Sequence, residues 1–133
     1  MSQTQSPTSQ GYVEASKLLA GAAATAVKSI TGIKTACTAD ATQTAAGITK
    51  ANNGLGLANA DTVSNTTTDV TNDTIQVDHE FTASDDVTVK GFGILNDDDD
   101  VLFAICCFAS DIVMANGDKL STQMKMQVKL GVA

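Results

Sequence analysis

His79 is the only histidine in the chain, and it falls on the apolar side of an alternating run, Ile75, Val77, His79, Phe81. A metal ligand or general base at that position needs partners, yet the sequence offers no His-x-His spacing and no second histidine. The bland reading, a histidine packed in a core or interface, is the better one. Asp97 to Asp100 place four carboxylates in a row, and oxygen donors are what Ca²⁺ takes. The run lacks the alternating ligands and the glycine of a calcium loop, which points to a solvated turn. Cys106 and Cys107 are adjacent in an apolar run, without Cys-x-x-Cys geometry. Neighbouring strand residues face opposite ways, so these two cannot easily bridge each other. With Cys37 the count is odd, and three reduced, structural thiols are expected. Gly54-Leu55-Gly56 is too short for a dinucleotide loop, and no base stands by to activate the many Ser, Thr and Lys residues. No catalytic, cofactor-binding or metal-binding residue is assigned, and the chain is not expected to be an enzyme.

The elements that would carry these residues are mostly strands. Leu120, Thr122, Met124, Met126, Val128 and Leu130 alternate with Ser121, Gln123, Lys125, Gln127, Lys129 and Gly131. This period of two predicts a long terminal strand with the first set buried, entered through an Asn116-Gly117-Asp118 turn. Further strands are predicted from Asn72-Asp73 through Phe81, over Val87 to Leu95, and over Val101 to Ala109. Gly91 and Gly93 suggest a bulge or close backbone approach in the second. The third, VLFAICCFA, reads as a central strand buried on both faces. Ala26 to Lys34 reads as a strand and Thr62 to Asp69 as a poorly buried edge, with long loops and short extended pieces over 35–61. Residues 12–24 suggest a short helix. Residues 1–11, polar and holding the only Pro, read as an N-terminal arm, mobile until a partner orders it. The fold class expected is mainly β: an antiparallel β-sandwich or barrel over 12–133, with a short N-terminal helix and a flexible arm over 1–11.

Composition narrows the functions. The formal charge is −7 and all eight basic residues are Lys. An acidic chain without Arg lacks the basic surface that nucleic acid needs and the planar fork that grips phosphate. No basic and apolar leader opens the sequence and no run approaches a membrane span, so synthesis in a cytoplasm and no membrane partner are expected. Aromatic residues make up 4% with no Trp, so the core must be built from Val, Ile, Leu, Met and Phe. Assembly with copies or partners is expected to add stability.

The segment from Thr66 to Leu130 resembles tailed-phage virion proteins. It carries Val70 to Thr74 (VTNDT), then Phe81-Thr82, Gly93 to Asn96, Val101 to Ala104, and the Asn116 to Leu120 turn before a last strand. The resemblance extends over roughly residues 16–130, although Gly32-Ile33-Lys34 stands where relatives often have Gly-Thr-Gly. It implies a virion structural protein. The expectation is a capsid decoration protein that binds the major capsid protein or another virion protein, as a homo-oligomer with a trimer favoured. A tail or fibre-attachment component is the alternative within that class. A carbohydrate- or ligand-binding β-sandwich is the alternative from another class, disfavoured because sugar platforms are aromatic and the chain has one Tyr.

Overall fold

A computed structural model describes residues 3–129. In chain order the elements are β1 (Gln3–Pro7), α1 (Ser9–Ala20), β2 (Val27–Ile33), β3 (Ala58–Asn59), β4 (Thr62–Thr66), β5 (Thr74–Thr82), β6 (Val87–Asn96), β7 (Leu102–Met114) and β8 (Lys119–Gln127). They form two antiparallel sheets, ordered β1-β7-β6-β2-β3 and β4-β5-β8. The chain is thus mainly β and sandwich-like, with one short helix and no closed barrel among the described residues.

The alternation that defines β5 and β8 does what it should. Val77, Phe81 and Met124 are buried, while Glu80, Ser121, Gln123 and Lys125 are exposed. These residues meet Ile30 of β2, Val89, Phe92 and Ile94 of β6, and Ala104 and Cys106 of β7 in one cluster that joins the two sheets. Each large apolar side chain so buried contributes roughly 1.5–3 kcal/mol. The terminal strand is shorter than its pattern predicts. The β5–β8 ladder ends at Thr74 and Gln127; beyond it the Val128 amide still donates to the Asp73 carbonyl at 2.8 Å, but the Val128 side chain is exposed. Leu130 lies outside the described residues.

A second cluster covers the other side of the large sheet. Ile33, Leu95, Leu102, Ile105 and Cys107 pack there with Ala45, and Cys37, Ala39 and Ile48 close over them from the 34–57 loop. Here the cysteine expectation is corrected: Cys37 and Cys107 form a disulfide, with Cα atoms 5.7 Å apart, and only Cys106 remains a free, buried thiol. The opposite facing of Cys106 and Cys107 is what makes this possible, since it aims Cys107 at the loop that carries Cys37. Gly91 makes the space. A Cβ there would lie 2.2 Å from the Cys106 carbonyl oxygen and 2.8 Å from Cys37 Sγ.

The N-terminal expectation is corrected too. Residues 3–11 are no free arm: Gln3 to Pro7 pair antiparallel with Phe108 to Ala104, and α1 starts at Ser9, three residues before the predicted start. The side chains of β1 are mostly exposed, which is why hydrophobicity gave no hint. The strand is ordered through its backbone, and it covers an edge that β7 would otherwise present unpaired. Thr8 caps the helix, its Oγ1 accepting from Gly11 N at 3.0 Å. Gly21, at φ 71°, ends it in a left-handed cap whose amides reach back to the carbonyls of Leu18 and Lys17.

Candidate functional site

The residues with chemical potential do not converge. The His79 side chain is 11% exposed at the margin of the core, with Nδ1 3.2 Å from Asp61 Oδ1 but not aligned for a hydrogen bond. Its ring stands edge-on to Phe81 at 4.5 Å. Asp61 Oδ2 is taken by the Glu80 amide at 2.9 Å, and Asp78 accepts from Gln76, Gln123 and Thr62. Those donors, Gln76 foremost, hold the Asp78 carboxyl below the usual carboxylate range. The depression beside His79 is shallow and open, lined by Asp61, Asp78, Glu80 and the β8 residues Ser121 to Gln123. It is a hydrogen-bonded surface with its carboxylates occupied by their neighbours.

Two of the four carboxylates of the acidic tip are likewise turned to structural use, while Asp99 Oδ1 is buried without a hydrogen-bond partner. Asp97 pairs with Lys28 at 3.2 Å, and Asp100 accepts from Asn96 Nδ2 at 2.8 Å. Asn96 is almost fully buried. Its Oδ1 accepts from the amides of Asp100 and Val101, closing the β6–β7 turn, while its Nδ2 also reaches Glu14 Oε2 at 3.2 Å. No group of three metal-ligating side chains occurs among the described residues. Gly54-Leu55-Gly56 is a turn that sends Leu55 into the core, its carbonyl accepting from Gly32 N at 2.7 Å. Burial pushes the Cys106 thiol up to about 11, far from a reactive thiolate at neutral pH.

What stands out is the orientation of α1. Its inward face is built from polar and small residues. Gln10 Oε1 accepts from Ala45 N at 2.9 Å and Leu102 N at 2.7 Å. Gly11 lies against the backbone of Phe103, where a Cβ would approach Phe103 Cα to 2.5 Å. Glu14 is buried, its Oε2 accepting from Thr25 N and Asn96 Nδ2. Its outward face carries Tyr12 (80% exposed), Val13 (56%) and Leu19 (89%). The usual helix buries its apolar stripe and wets its polar one; α1 does the reverse. The predicted helix was anchored on Tyr12, Val13, Leu18 and Leu19, but nothing in that reading said which way they point. The available signal is the helical wheel: Tyr12, Ala15, Ser16 and Leu19 form a stripe without a single charge, whereas the polar Gln10 and Glu14 share the other side.

No protein-family model, no curated protein and no solved structure matches the chain.

Proposed function

We propose that this chain is a non-enzymatic structural protein of a tailed-phage virion, a decoration protein that binds the capsid lattice as a homo-oligomer. The observation that supports assembly is the outward face of α1. Contiguous exposed apolar surface on a soluble domain marks an interaction site, and here it sits on a helix already held rigid by its inward contacts. The virion assignment rests on the resemblance carried by Val70 to Thr74, Gly93 to Asn96, Val101 to Ala104 and Asn116 to Leu120. The Cys37–Cys107 bond adds a condition to this reading, since disulfides persist where the surroundings are oxidising. Cytosolic reductants keep such pairs open, so in a particle made in a host cytoplasm the bond closes after release. The test is immunogold labelling of intact particles with an antibody to the chain. Gold over the heads supports the proposal, gold confined to tails selects the tail-component alternative, and particles free of the chain overturn both.

A further inference from the structure

We propose that the Cys37–Cys107 bond is a redox-sensitive latch: closed, it holds residues 35–47 as a strap across the start of α1, and a small thiol opens it. This latch belongs to the fold and does not depend on the virion reading. Three observations carry it. The first is where the strap is tied. From Thr49 onward the loop is hooked to β2 and its end: Lys34 N donates to the Thr49 carbonyl, Ala51 N to the Gly32 carbonyl and Gly32 N to the Leu55 carbonyl. Between 35 and 47 the backbone bonds that leave the strap run to α1 instead. Ser9 N donates to the Ala41 carbonyl at 2.8 Å, and Ala45 N donates to Gln10 Oε1 at 2.9 Å. The disulfide is the strap's covalent tie to β7.

The second observation is how little apolar surface the strap carries. Its sequence, TACTADATQTAAG, brings Cys37, Ala39 and Ala45 to the cluster of Ile33, Leu95, Leu102 and Ile105. Ordering each residue costs backbone entropy, and burying a methyl group offsets little of it. An irregular strap of this composition stays shut because it is bonded shut.

The third is access. Cys107 is 6% exposed, but Cys37 is only half-buried and forms the outer end of the bond. A small thiolate can attack Cys37 Sγ, and Cys107 leaves as a thiolate that takes up a proton. A second small thiolate then displaces Cys37 from the mixed disulfide. Two electrons pass to the protein: it gains two thiols, and two small thiols become one small disulfide. Closure is the reverse, with oxidised glutathione as the oxidant. Cys106 takes no part, because its Sγ donates to Gln3 Oε1 at 3.4 Å, on the other side of β7.

The latch reaches α1 through two amides. Ser9 is the first residue of the helix, where an amide has no acceptor within the helix, so the Ala41 carbonyl is its partner. Gln10 Oε1 accepts from both Ala45 N and Leu102 N, joining strap, helix and β7 at one atom. With the strap released, Ser9 N loses its acceptor and Gln10 keeps Leu102 alone, while Thr8 still caps the helix. The start of α1 loosens without detaching, so the firmness with which it presents Tyr12 and Leu19 follows the redox state.

The test is amide hydrogen exchange of the full chain: oxidised, treated with dithiothreitol in the absence of denaturant, and as Cys37→Ser. The reference is β5, whose amides lie between two paired strands. Dithiothreitol and Cys37→Ser should each raise exchange at Ser9 and Ala45 at least about tenfold beyond any rise in β5. Oxidised glutathione should restore protection in the wild type but not in the variant. An equal rise at all these amides makes the bond a general staple and overturns the proposal, as does no rise at all. A bond that dithiothreitol leaves intact until the domain unfolds overturns it as well.

Discussion

Reducing the Cys37–Cys107 bond should cost the domain about 4 kcal/mol, by the chain-entropy relation applied to a closed loop of this length. The bond joins positions 70 residues apart, so the open chain gains a large loop entropy on unfolding. It also pins the 34–57 loop over Ile33, Leu95, Leu102 and Ile105, and a loosened loop would re-expose that apolar surface. For a chain of this size a loss of that order lowers the melting temperature by roughly 10–20 °C. The assay compares thermal melts of oxidised protein with protein unfolded, reduced by a phosphine and refolded in its presence. Trypsin supplies an independent readout, because the exposed Lys34 opens the loop and the exposed Lys50 lies within it, and both should be cut faster once it is released. A reduced protein melting within about 2 °C of the oxidised one, with unchanged cleavage, would refute the argument that this bond holds the second cluster closed.

Met124→Asp should abolish cooperative melting, because Met124 is 3% exposed and an unpaired buried carboxylate costs several kcal/mol. Met126→Asp, at a half-buried position, should lower the melting temperature by less, and equal effects would contradict the burial order along β8. Asp73 is held well below the ordinary carboxylate range, first by the Thr68 amide and further by Val70, Gln127 and Thr74, and Asp78 is lowered by Gln76, Gln123 and Thr62. Ionised in the fold more readily than in the unfolded chain, both contribute stability that is complete above about pH 4 and lost as pH falls through their folded values. The melting temperature should therefore drop on acidification below about pH 4, with a shallower drop in Asp73→Asn; an identical acid limb in that variant would remove Asp73 from the account. Deleting residues 1–7 should lower the melting temperature and promote aggregation by baring the β7 edge from Ala104 to Phe108, and a truncated chain that melts like the full one would show that β1 adds nothing to the fold.

The strands were legible wherever one face is buried and the other wet. β5 and β8 alternate cleanly, and the unbroken apolar run from Val101 announces a strand paired on both sides, with β1 and β6, along much of its buried length. What escaped the sequence was long-range pairing that leaves no mark on side-chain type. β1 is polar, yet its amides and carbonyls complete a sheet. Cys37 sits in a loop with no periodicity, so its partner could be found only once β7 and the loop were in place. In the candidate site the legible part was the helix and its apolar residues. The illegible part was its direction, because Gln10 and Glu14 look like solvent-facing residues until the groups they satisfy are known.

Those groups explain the inversion of α1. The β6–β7 ladder shifts register between Ile94 and Leu95, pairing Ile94 with Ala104 but Leu95 with Leu102. Phe103 is thus an extra residue on β7, a bulge that leaves backbone groups without ladder partners. Buried amides and carbonyls left unpaired cost about 1–3 kcal/mol each, and the start of α1 supplies their partners. Thr8 N donates to the Phe103 carbonyl at 3.2 Å, Thr8 Oγ1 donates to the Leu102 carbonyl, and Gln10 accepts from Leu102 N at 2.7 Å. With its polar residues committed inward, the helix has its other face free. Nothing in the domain requires Tyr12, Val13 or Leu19 on that face. Lys or Glu would be at least as helix-favouring there and would expose no apolar area. The bulge therefore accounts for why α1 points its polar side at the core and leaves its apolar residues facing outward.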